Sequence, residues 1–438
     1  MPITEYIWAE SGTGLSEHAW KRAESTGAAW VGNEASAHIS LLRSTVTEEL
    51  AFGMEQRGVP REQMQARIDE VLSTWGLLTH AEQHPSRLST GQTRRLAIAG
   101  ALLSGADSLV LDCPLDGFDA SAVATLRHTL AAFPGEVTVY DRGRSSLSDA
   151  ATRQLRLTSS GELVEDEAPG PVVPDSGRGR LSVAPGSRGG AASRIGASRT
   201  TVDGDDKSGE VSGGVHDDRD AVLVGRGVRI PRGAGEVGPI DIIANAGEVT
   251  HLQGPNGCGK TSLFLAALGL VPHHGELVRP QDMPGWAPTA MDAALARRTV
   301  LEELAYGVDR EAAEAVVEFA GLQQWAETHP LDVPSSWRRI VLVAAAMVRA
   351  PQLILLDEPT VGLDWEGYGR LADLMHRYAD GEYHRLRGVN MGSADAQCQD
   401  ARPSDRTGSA TQLPAVLWTC HDHDFASAVS DARITWPP

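Results

Sequence analysis

The chain has 438 residues, a formal net charge of −19 and a pI near 5.2. This length allows two or three domains, and a hydrophobic content of 41% is enough for sizeable cores. The negative charge argues against a broad nucleic-acid-binding surface.

The cysteines and the apolar runs indicate the redox compartment and the relation of the chain to membranes. The four cysteines have no CxxC or framework spacing, which favours a reducing cytosol and no structural zinc. The first residues lack a basic segment followed by an apolar one, so we expect no signal peptide. Because no run approaches the roughly 18 apolar residues of a membrane-spanning helix, a role at a membrane would require another chain as anchor.

The first third of the chain carries three short motifs. Residues 11–16 form a glycine-rich run, Ser-Gly-Thr-Gly-Leu-Ser. Ser89, Gly91 and Gln92 belong to LSTGQ, at an expected helix N-terminus where backbone N–H groups can bind an anion. An ordinary capped helix start is the alternative interpretation. A short apolar run then ends at Asp112, which is typical of a buried parallel strand.

A segment rich in Gly, Ser, Pro, Arg and Asp follows at residues 168–216. Its composition predicts a flexible linker, because it has little apolar material from which a third folded domain could build a core. We therefore expect one domain at residues 1–167 and a second at residues 217–438.

The second domain contains a phosphate-loop pattern, G-x-x-x-x-G-K-T, between a strand-like run and an apolar helical run. Glycines allow backbone N–H groups to point at phosphate oxygens, and the helix N-terminus adds partial positive charge. A glycine-rich turn with a chance lysine is the alternative. The candidate ATP-binding residues of this segment are Gly254, Pro255, Asn256, Gly257, Cys258, Gly259, Lys260, Thr261 and Ser262.

Acidic residues follow the apolar run at 353–356. Asp357 at the end of this strand can hold Mg²⁺ together with the hydroxyl of Thr261. Glu358 can orient or deprotonate a water that attacks a phosphate; a solvated acidic turn would look similar. A polar stretch at about 380–412 is predicted to be a solvated insertion in this domain.

The two domains are copies of each other. TVTEELAFG at residues 45–53 returns as TVLEELAYG at 299–307, and the strand ending at Asp112 returns, 245 residues later, as the one ending at Asp357. A duplication of such long period indicates two copies of one domain. Alternation of strands and helices in each copy predicts an α/β fold with a mainly parallel sheet.

With these motifs the chain resembles tandem ABC transporter ATPases. TVTEELAFG, TVLEELAYG and residues 95–102 are most similar to the energy-coupling-factor and cobalt-type importers. The resemblance implies two P-loop NTPase domains, each with a helical subdomain, the first truncated at its N-terminus. It also implies ATP and Mg²⁺ as cofactors, Glu358 and His421 as catalytic residues, and D-loops near Asp119 and Asp364.

Several positions depart from the family pattern. Leu15 stands at the lysine position of the first copy, Cys113 at its catalytic glutamate, and Asp141 or Arg142 at its histidine. The LSTGQ segment at residues 88–92 stands at the signature loop of this family, and in the second copy this loop has become residues 333–337, Val-Pro-Ser-Ser-Trp. The Q-loop glutamines are replaced as well, by Asn33 and Thr289.

These departures mainly concern one of two expected ATP sites. In ABC proteins each ATP lies between the Walker motifs of one domain and the signature loop of the other. One site here combines Lys260, Glu358 and His421 with Ser89 and Asp119, whereas the other retains few of its parts. The resemblance therefore predicts an intramolecular ABC dimer with one competent site.

The expected function is that of a cytoplasmic ATPase subunit, peripheral on the inner face of the cell membrane. Its expected partners are an integral membrane transporter subunit and a substrate-binding membrane subunit, with a vitamin or metal ion as cargo and no nucleic acid. Two alternatives remain open: a soluble ABC protein acting on ribosomes, and a nucleotide-binding regulator that does not hydrolyse.

Overall fold

The computed structural model describes residues 3–172, 220–232, 235–291, 294–389 and 412–436. They form two α/β units, which confirms the predicted fold class. The first unit consists of β1 (Ile3–Trp8), α1 (Leu15–Thr26), β2 (Ala29–Val31), α2 (Val46–Gln56), α3 (Arg61–Thr74), α4 (Thr90–Leu103), β3 (Ser108–Asp112), α5 (Ala120–Ala132), β4 (Glu136–Asp141), β5 (Ala151–Leu157) and β6 (Leu163–Glu165).

The strands of the first unit form one sheet in the order β2-β3-β4-β1-β5-β6. All neighbours are parallel except β5 and β6. The central strands are apolar and buried on both faces, as parallel strands covered by helices must be. Parallel pairing gathers the carboxyl ends of β1, β3 and β4 at one edge, where the motif residues lie.

The second unit repeats this plan and adds an antiparallel sheet. Its parallel sheet has the order β11-β12-β13-β9-β14, and the added sheet has the order β10-β7-β8. The elements are β7 (Ala221–Arg232), β8 (Gly235–Asn245), β9 (Val249–Gln253), α6 (Lys260–Ala267), β10 (His274–Val278), β11 (Gly285–Ala287), α7 (Val300–Leu304), α8 (Arg310–Phe319), α9 (Ser335–Met347), β12 (Leu353–Leu356), α10 (Trp365–Ala379), α11 (Glu382–Leu386), β13 (Ala415–Trp418), α12 (His423–Val429) and β14 (Ala432–Thr435).

Strand register makes the two units directly comparable. Asp112 pairs with Tyr140 on β4, and Leu356, one residue before Asp357, pairs with Trp418 on β13. One residue further along both strands, Asp357 lies opposite Thr419, so Thr419 is the counterpart of Tyr140. His421 lies two residues after Thr419, and its counterpart is therefore Arg142 rather than Asp141. The repeated TVxEEL motifs also match, because Thr45 and Thr299 cap α2 and α7 in the same way, each accepting a hydrogen bond from the backbone three residues later.

Two predicted boundaries are wrong. Residues 168–172, assigned to the flexible linker, contact both units: Pro169 O accepts a hydrogen bond from Arg144 N, and Val172 N donates to Trp365 O. Residues 380–389, assigned to the polar insertion, include α11, whose Tyr383 is fully buried and donates to Val348 O at 3.0 Å. Residues 173–216 and 390–411 of these two predictions lie outside the described residues.

The phosphate-loop counterpart in the first unit, residues 9–14, connects β1 directly to α1. Within residues 3–172 no strands correspond to the antiparallel pair β7 and β8. Among the helices of the described residues, none combines the length and the apolarity needed to cross a membrane.

Candidate active site

A cavity of about 730 Å³ lies between the two units, at the carboxyl edge of the second parallel sheet. Most of the predicted site residues line it. From the second unit these are Asn256, Gly257, Gly259, Lys260, Thr261, Ser262, Asp357, Glu358 and His421, and from the first they are Ser89, Gly91, Gln92 and Asp119. Three predicted loop residues, Gly254, Pro255 and Cys258, do not line the cavity.

The loop between β9 and α6 has the backbone of a phosphate-binding loop. Gly257 and Gly259 have φ of 79° and 116°, which favours glycine, and a Cβ on Gly259 would lie 2.8 Å from Val237. Lys260 is buried at the start of α6, and its Nζ donates to the carbonyls of Gly254 at 2.6 Å and Pro255 at 3.3 Å. The lysine thus lies along its own loop, with its ammonium group held by backbone oxygens.

Oxygen atoms suited to Mg²⁺ converge behind this loop. Thr261 Oγ1 donates to Asp357 Oδ2 at 2.7 Å, and Thr419 Oγ1 donates to Asp357 Oδ1 at 3.0 Å. A hydroxyl and a carboxylate are the hard ligands that Mg²⁺ prefers, and it usually keeps several waters, so few protein ligands suffice. The residues therefore fit the predicted ion, with Thr261 and Asp357 as its ligands.

Glu358 and His421 form a buried pair next to this group. His421 Nε2 lies 3.2 Å from Glu358 Oε1, yet neither carboxylate oxygen has a hydrogen-bond partner of good geometry among the described residues. Burial raises the pKa of Glu358 to about 7, partly offset by the charge of Lys260. Burial, reinforced by Lys260, lowers the pKa of His421 to about 4. At neutral pH the histidine is uncharged and the carboxylate lies near its midpoint of titration.

The first unit presents a helix N-terminus to the same cavity. Ser89 caps α4 through a capping box with Gln92, in which Ser89 N donates to Gln92 Oε1 and Gln92 N donates to Ser89 Oγ. Gly91 approaches so closely that a Cβ there would lie 2.7 Å from Gly117 O. Asn256 of the phosphate loop donates to the same Gly117 oxygen at 3.3 Å, which is a direct contact between the units.

Asp119 lies at the start of the next helix of the first unit. Its carboxylate accepts from Ala122 N at 2.9 Å and so caps α5, and Oδ1 lies 3.3 Å from Arg95. The predicted D-loop residue therefore combines a capping role with a place on the cavity wall.

The counterpart positions in the first unit carry side chains of different chemistry. Leu15 starts α1 where Lys260 starts α6, and it is buried against apolar neighbours. Cys113 replaces Glu358, and burial raises the pKa of its thiol well above the usual value. Arg142, the counterpart of His421, is buried and forms an ion pair with Asp116 at 3.0 Å.

The second pair of facing motifs is joined by direct protein contacts. Ser11 N donates to Asp364 Oδ2 at 3.1 Å, and Ser336 N donates to Ser11 Oγ at 3.2 Å. The ring of Pro334 packs against Gly12 at the tip of the same loop. We call this contact, formed by residues 11–12 with Pro334, Ser336 and Asp364, the Ser11 latch.

The starts of α4 and α9 give the alignment of the two signature segments. Because α4 begins at Thr90 and α9 at Ser335, Pro334 is the counterpart of Ser89 and Ser336 that of Gly91. Proline cannot cap through its side chain, and Ser336 is buried with its hydroxyl on Asp364 at 2.8 Å.

Two residues that contact the site residues were not found from the sequence. Arg232, at the end of β7, donates from Nη1 to Gly257 O at 2.7 Å and lines the cavity. Thr419 orients Asp357 and accepts a hydrogen bond from Glu358 N at 2.8 Å. Thr419 could have been found as the hydroxyl two residues before His421, whereas the position of Arg232 depends on how the antiparallel sheet folds over the loop.

Comparisons with known proteins show the family of this chain. The family model for the ABC transporter matches residues 3–116 and 237–361. A putative ABC transporter ATP-binding protein of Streptomyces avermitilis is 28% identical over 406 residues, covering 80% of this chain and 72% of that protein. The zinc import ATP-binding protein ZnuC of Pseudomonas putida is 37% identical over 146 residues, covering 32% of this chain and 57% of that protein.

Solved structures agree on the fold. A model of ribosome-bound archaeal Pelota and ABCE1 has a TM-score of 0.63 at 16% identity, covering all of this chain and 72% of that one. An RNase-L inhibitor structure has a TM-score of 0.58 at 17% identity, covering 99% of this chain and 83% of that one. At this identity the likeness concerns the fold alone.

Proposed function

The chain belongs to the ABC transporter family, and we propose that it is the ATP-binding and ATP-hydrolysing subunit of an importer of the energy-coupling-factor type. One observation carries the proposal: Lys260 and the Glu358–His421 pair of one unit share a cavity with Ser89 of the other. This arrangement supports a nucleotide bound between the two halves of one chain, as in an intramolecular ABC dimer.

The chemistry follows from the positions of these groups. Backbone N–H groups of the phosphate loop and Lys260 bind the β- and γ-phosphates, and Ser89 with the N-terminus of α4 binds the γ-phosphate from the opposite side. Thr261 and Asp357 would hold a Mg²⁺ ion, which would supply positive charge to offset that of the phosphate oxygens. Glu358 accepts a proton from the attacking water, and neutral His421 donates a hydrogen bond to the transferred phosphoryl group.

The proposal includes only one competent site. At the other pair of motifs, Leu15 offers no charge for a phosphate and Cys113 offers no carboxylate. The Ser11 latch brings protein atoms of the two units within 3.1–3.4 Å of each other there. These contacts support a site closed by the protein itself, with nucleotide binding confined to the Lys260 side.

Partners and cargo are proposed from the relatives. Proteins named ABC transporter ATP-binding protein and zinc import ATP-binding protein match the chain. We therefore place it at the inner face of the cell membrane, bound to an integral membrane transporter subunit and a substrate-binding membrane subunit that select a vitamin or a metal ion. A ribosomal role is supported by fold likeness alone.

The test is to isolate the full chain from its native membrane fraction and to measure its Mg²⁺-dependent phosphate release. We expect a multi-spanning membrane protein to co-purify and to change the hydrolysis rate when reconstituted with the chain. Co-purification with ribosomes and no membrane protein would overturn the transport proposal. Absence of hydrolysis both alone and in the reconstituted complex would overturn the ATPase proposal.

A further inference from the structure

The strand that leads into the phosphate loop also holds the loop that carries His421. Side chains alternate along β9, so His251 and Gln253 lie on the same face. His251 Nε2 lies 3.3 Å from the backbone oxygen of Cys420, and Gln253 Nε2 lies 3.4 Å from His423 Nδ1. The two contacts flank His421, since Cys420 lies one residue before it and His423 two residues after it.

The protonation state of His251 follows from its partner. A carbonyl oxygen only accepts, so Nε2 carries the hydrogen and donates it to Cys420 O. His251 is 2% exposed, and burial lowers its pKa to about 4, an effect that the hydrogen bond to Cys420 O only partly offsets. His251 is therefore a neutral donor over the physiological range, and its bond to the Cys420 oxygen persists there.

The first unit has a different residue in the same register with a similar contact. His251 pairs with Trp418 on the neighbouring strand, and Tyr6 occupies the matching position opposite Val139. The Tyr6 hydroxyl donates to Gly143 O at 2.5 Å, next to Arg142, the counterpart of His421. Both units thus anchor this loop from the central strand, through chemically unrelated side chains.

We propose that His251 is a positioning residue for hydrolysis, which acts by fixing the backbone at Cys420 so that His421 stays 3.2 Å from Glu358. Because β9 continues into Gly254, the same strand sets the phosphate loop and the His421 loop relative to each other. The inference rests on the proposed function for its kinetic consequence, but the anchoring contact itself does not depend on hydrolysis.

The experiment compares three variants of the full chain. His251→Met removes the donor at similar volume, His251→Gln retains an N–H at a similar reach, and Tyr6→Phe removes the matching contact in the unit that lacks Lys260 and Glu358. We expect His251→Met to lower kcat about tenfold with KM for ATP within about twofold, because a displaced catalytic group loses rate rather than substrate affinity. His251→Gln should recover about half of the wild-type kcat, and Tyr6→Phe should stay within about twofold.

Amide hydrogen exchange gives a readout that needs no turnover. His251→Met should speed exchange in the peptide covering residues 419–423 and leave residues 141–145 unchanged, whereas Tyr6→Phe should do the reverse. Unchanged exchange at 419–423, or equal kcat in the Met and wild-type proteins, would overturn the proposal. So would a loss of kcat in His251→Met that His251→Gln fails to recover in any part. If the wild type does not hydrolyse ATP, the proposed function fails, and the exchange data still decide whether His251 anchors the loop.

Discussion

Cys113 and Glu358 share a left-handed backbone conformation, with φ of 47° and 51°, and each directly follows an aspartate at the carboxyl end of a strand. Residues with a Cβ rarely adopt this conformation, which costs on the order of 1 kcal/mol or more. In both units a hydrogen bond from the backbone N–H of this residue holds the turn. Glu358 N donates to Thr419 Oγ1, and Cys113 N donates to Tyr140 O. The two units retain the same strained turn, but only the second places a carboxylate on it.

The first prediction concerns this carboxylate. Glu358→Gln should reduce steady-state phosphate release by on the order of 10²-fold or more while nucleotide still binds, because the amide cannot accept the proton of the attacking water. Cys113→Ser, at the matching turn of the first unit, is the control. This variant should release phosphate at the wild-type rate. Full activity in Glu358→Gln, measured with nucleotide binding on the same preparation, would refute the assignment of the general base.

The raised pKa of Glu358 also predicts a pH-dependent stability. Its usual value is near 4.5 and its value in the folded protein is about 7. Between these values the unfolded chain loses the proton and the folded one keeps it, so stability falls as pH rises from about 4.5 to about 7 and then levels off. At 1.36 kcal/mol per pKa unit the loss is at most about 3 kcal/mol.

Glu358→Gln lacks this titration, so the variant should be more stable than the wild type at pH 8 and about equal to it at pH 5. Urea unfolding of the ligand-free proteins at the two pH values measures the difference. A stability difference that is the same at pH 5 and pH 8 would mean that Glu358 does not titrate with a raised pKa.

The strand-end chemistry could be predicted because strand, loop and helix are local patterns. Lys260 and Thr261 open a helix after a strand, and Asp357 and Glu358 follow one, so a parallel sheet necessarily gathers them at one edge. The sequence duplication alone then assigned each of these residues a counterpart in the first copy. These inferences need only periodicity and strand direction.

The errors occurred where tertiary contacts decide. Residues 380–389 are polar in composition, yet Tyr383 and His384 are buried between α8, α10 and their neighbours, which no local pattern indicates. The role of His251 was missed for the same reason, because its acceptor lies 169 residues away on another loop.

The contribution of the first unit is tested at Ser89. Ser89→Arg should lower the rate of phosphate release at least about tenfold. A bulky cation at the start of α4 would fill the cavity and displace the N–H donors there. Ser86→Arg is the matched control, since Ser86 is exposed three residues earlier and does not line the cavity. Equal phosphate-release rates for both variants would show that hydrolysis does not require the first unit at this position.

The last prediction is that each chain binds one ATP. Lys260 is one of only three lysines among 39 basic residues, and Leu15 stands at its counterpart position. The Ser11 latch fills the gap between the facing motifs there, since Ser11 contacts Asp364 and Ser336 directly.

In the Glu358→Gln background, which traps nucleotide, equilibrium binding should therefore give one ATP per chain. Adding Lys260→Ala should remove this binding, because the remaining motifs of the first unit have no cation for the phosphates, whereas Lys21→Ala on exposed α1 should leave it unchanged. A stoichiometry of two, or one ATP retained without Lys260, would mean that the latched side opens and holds nucleotide.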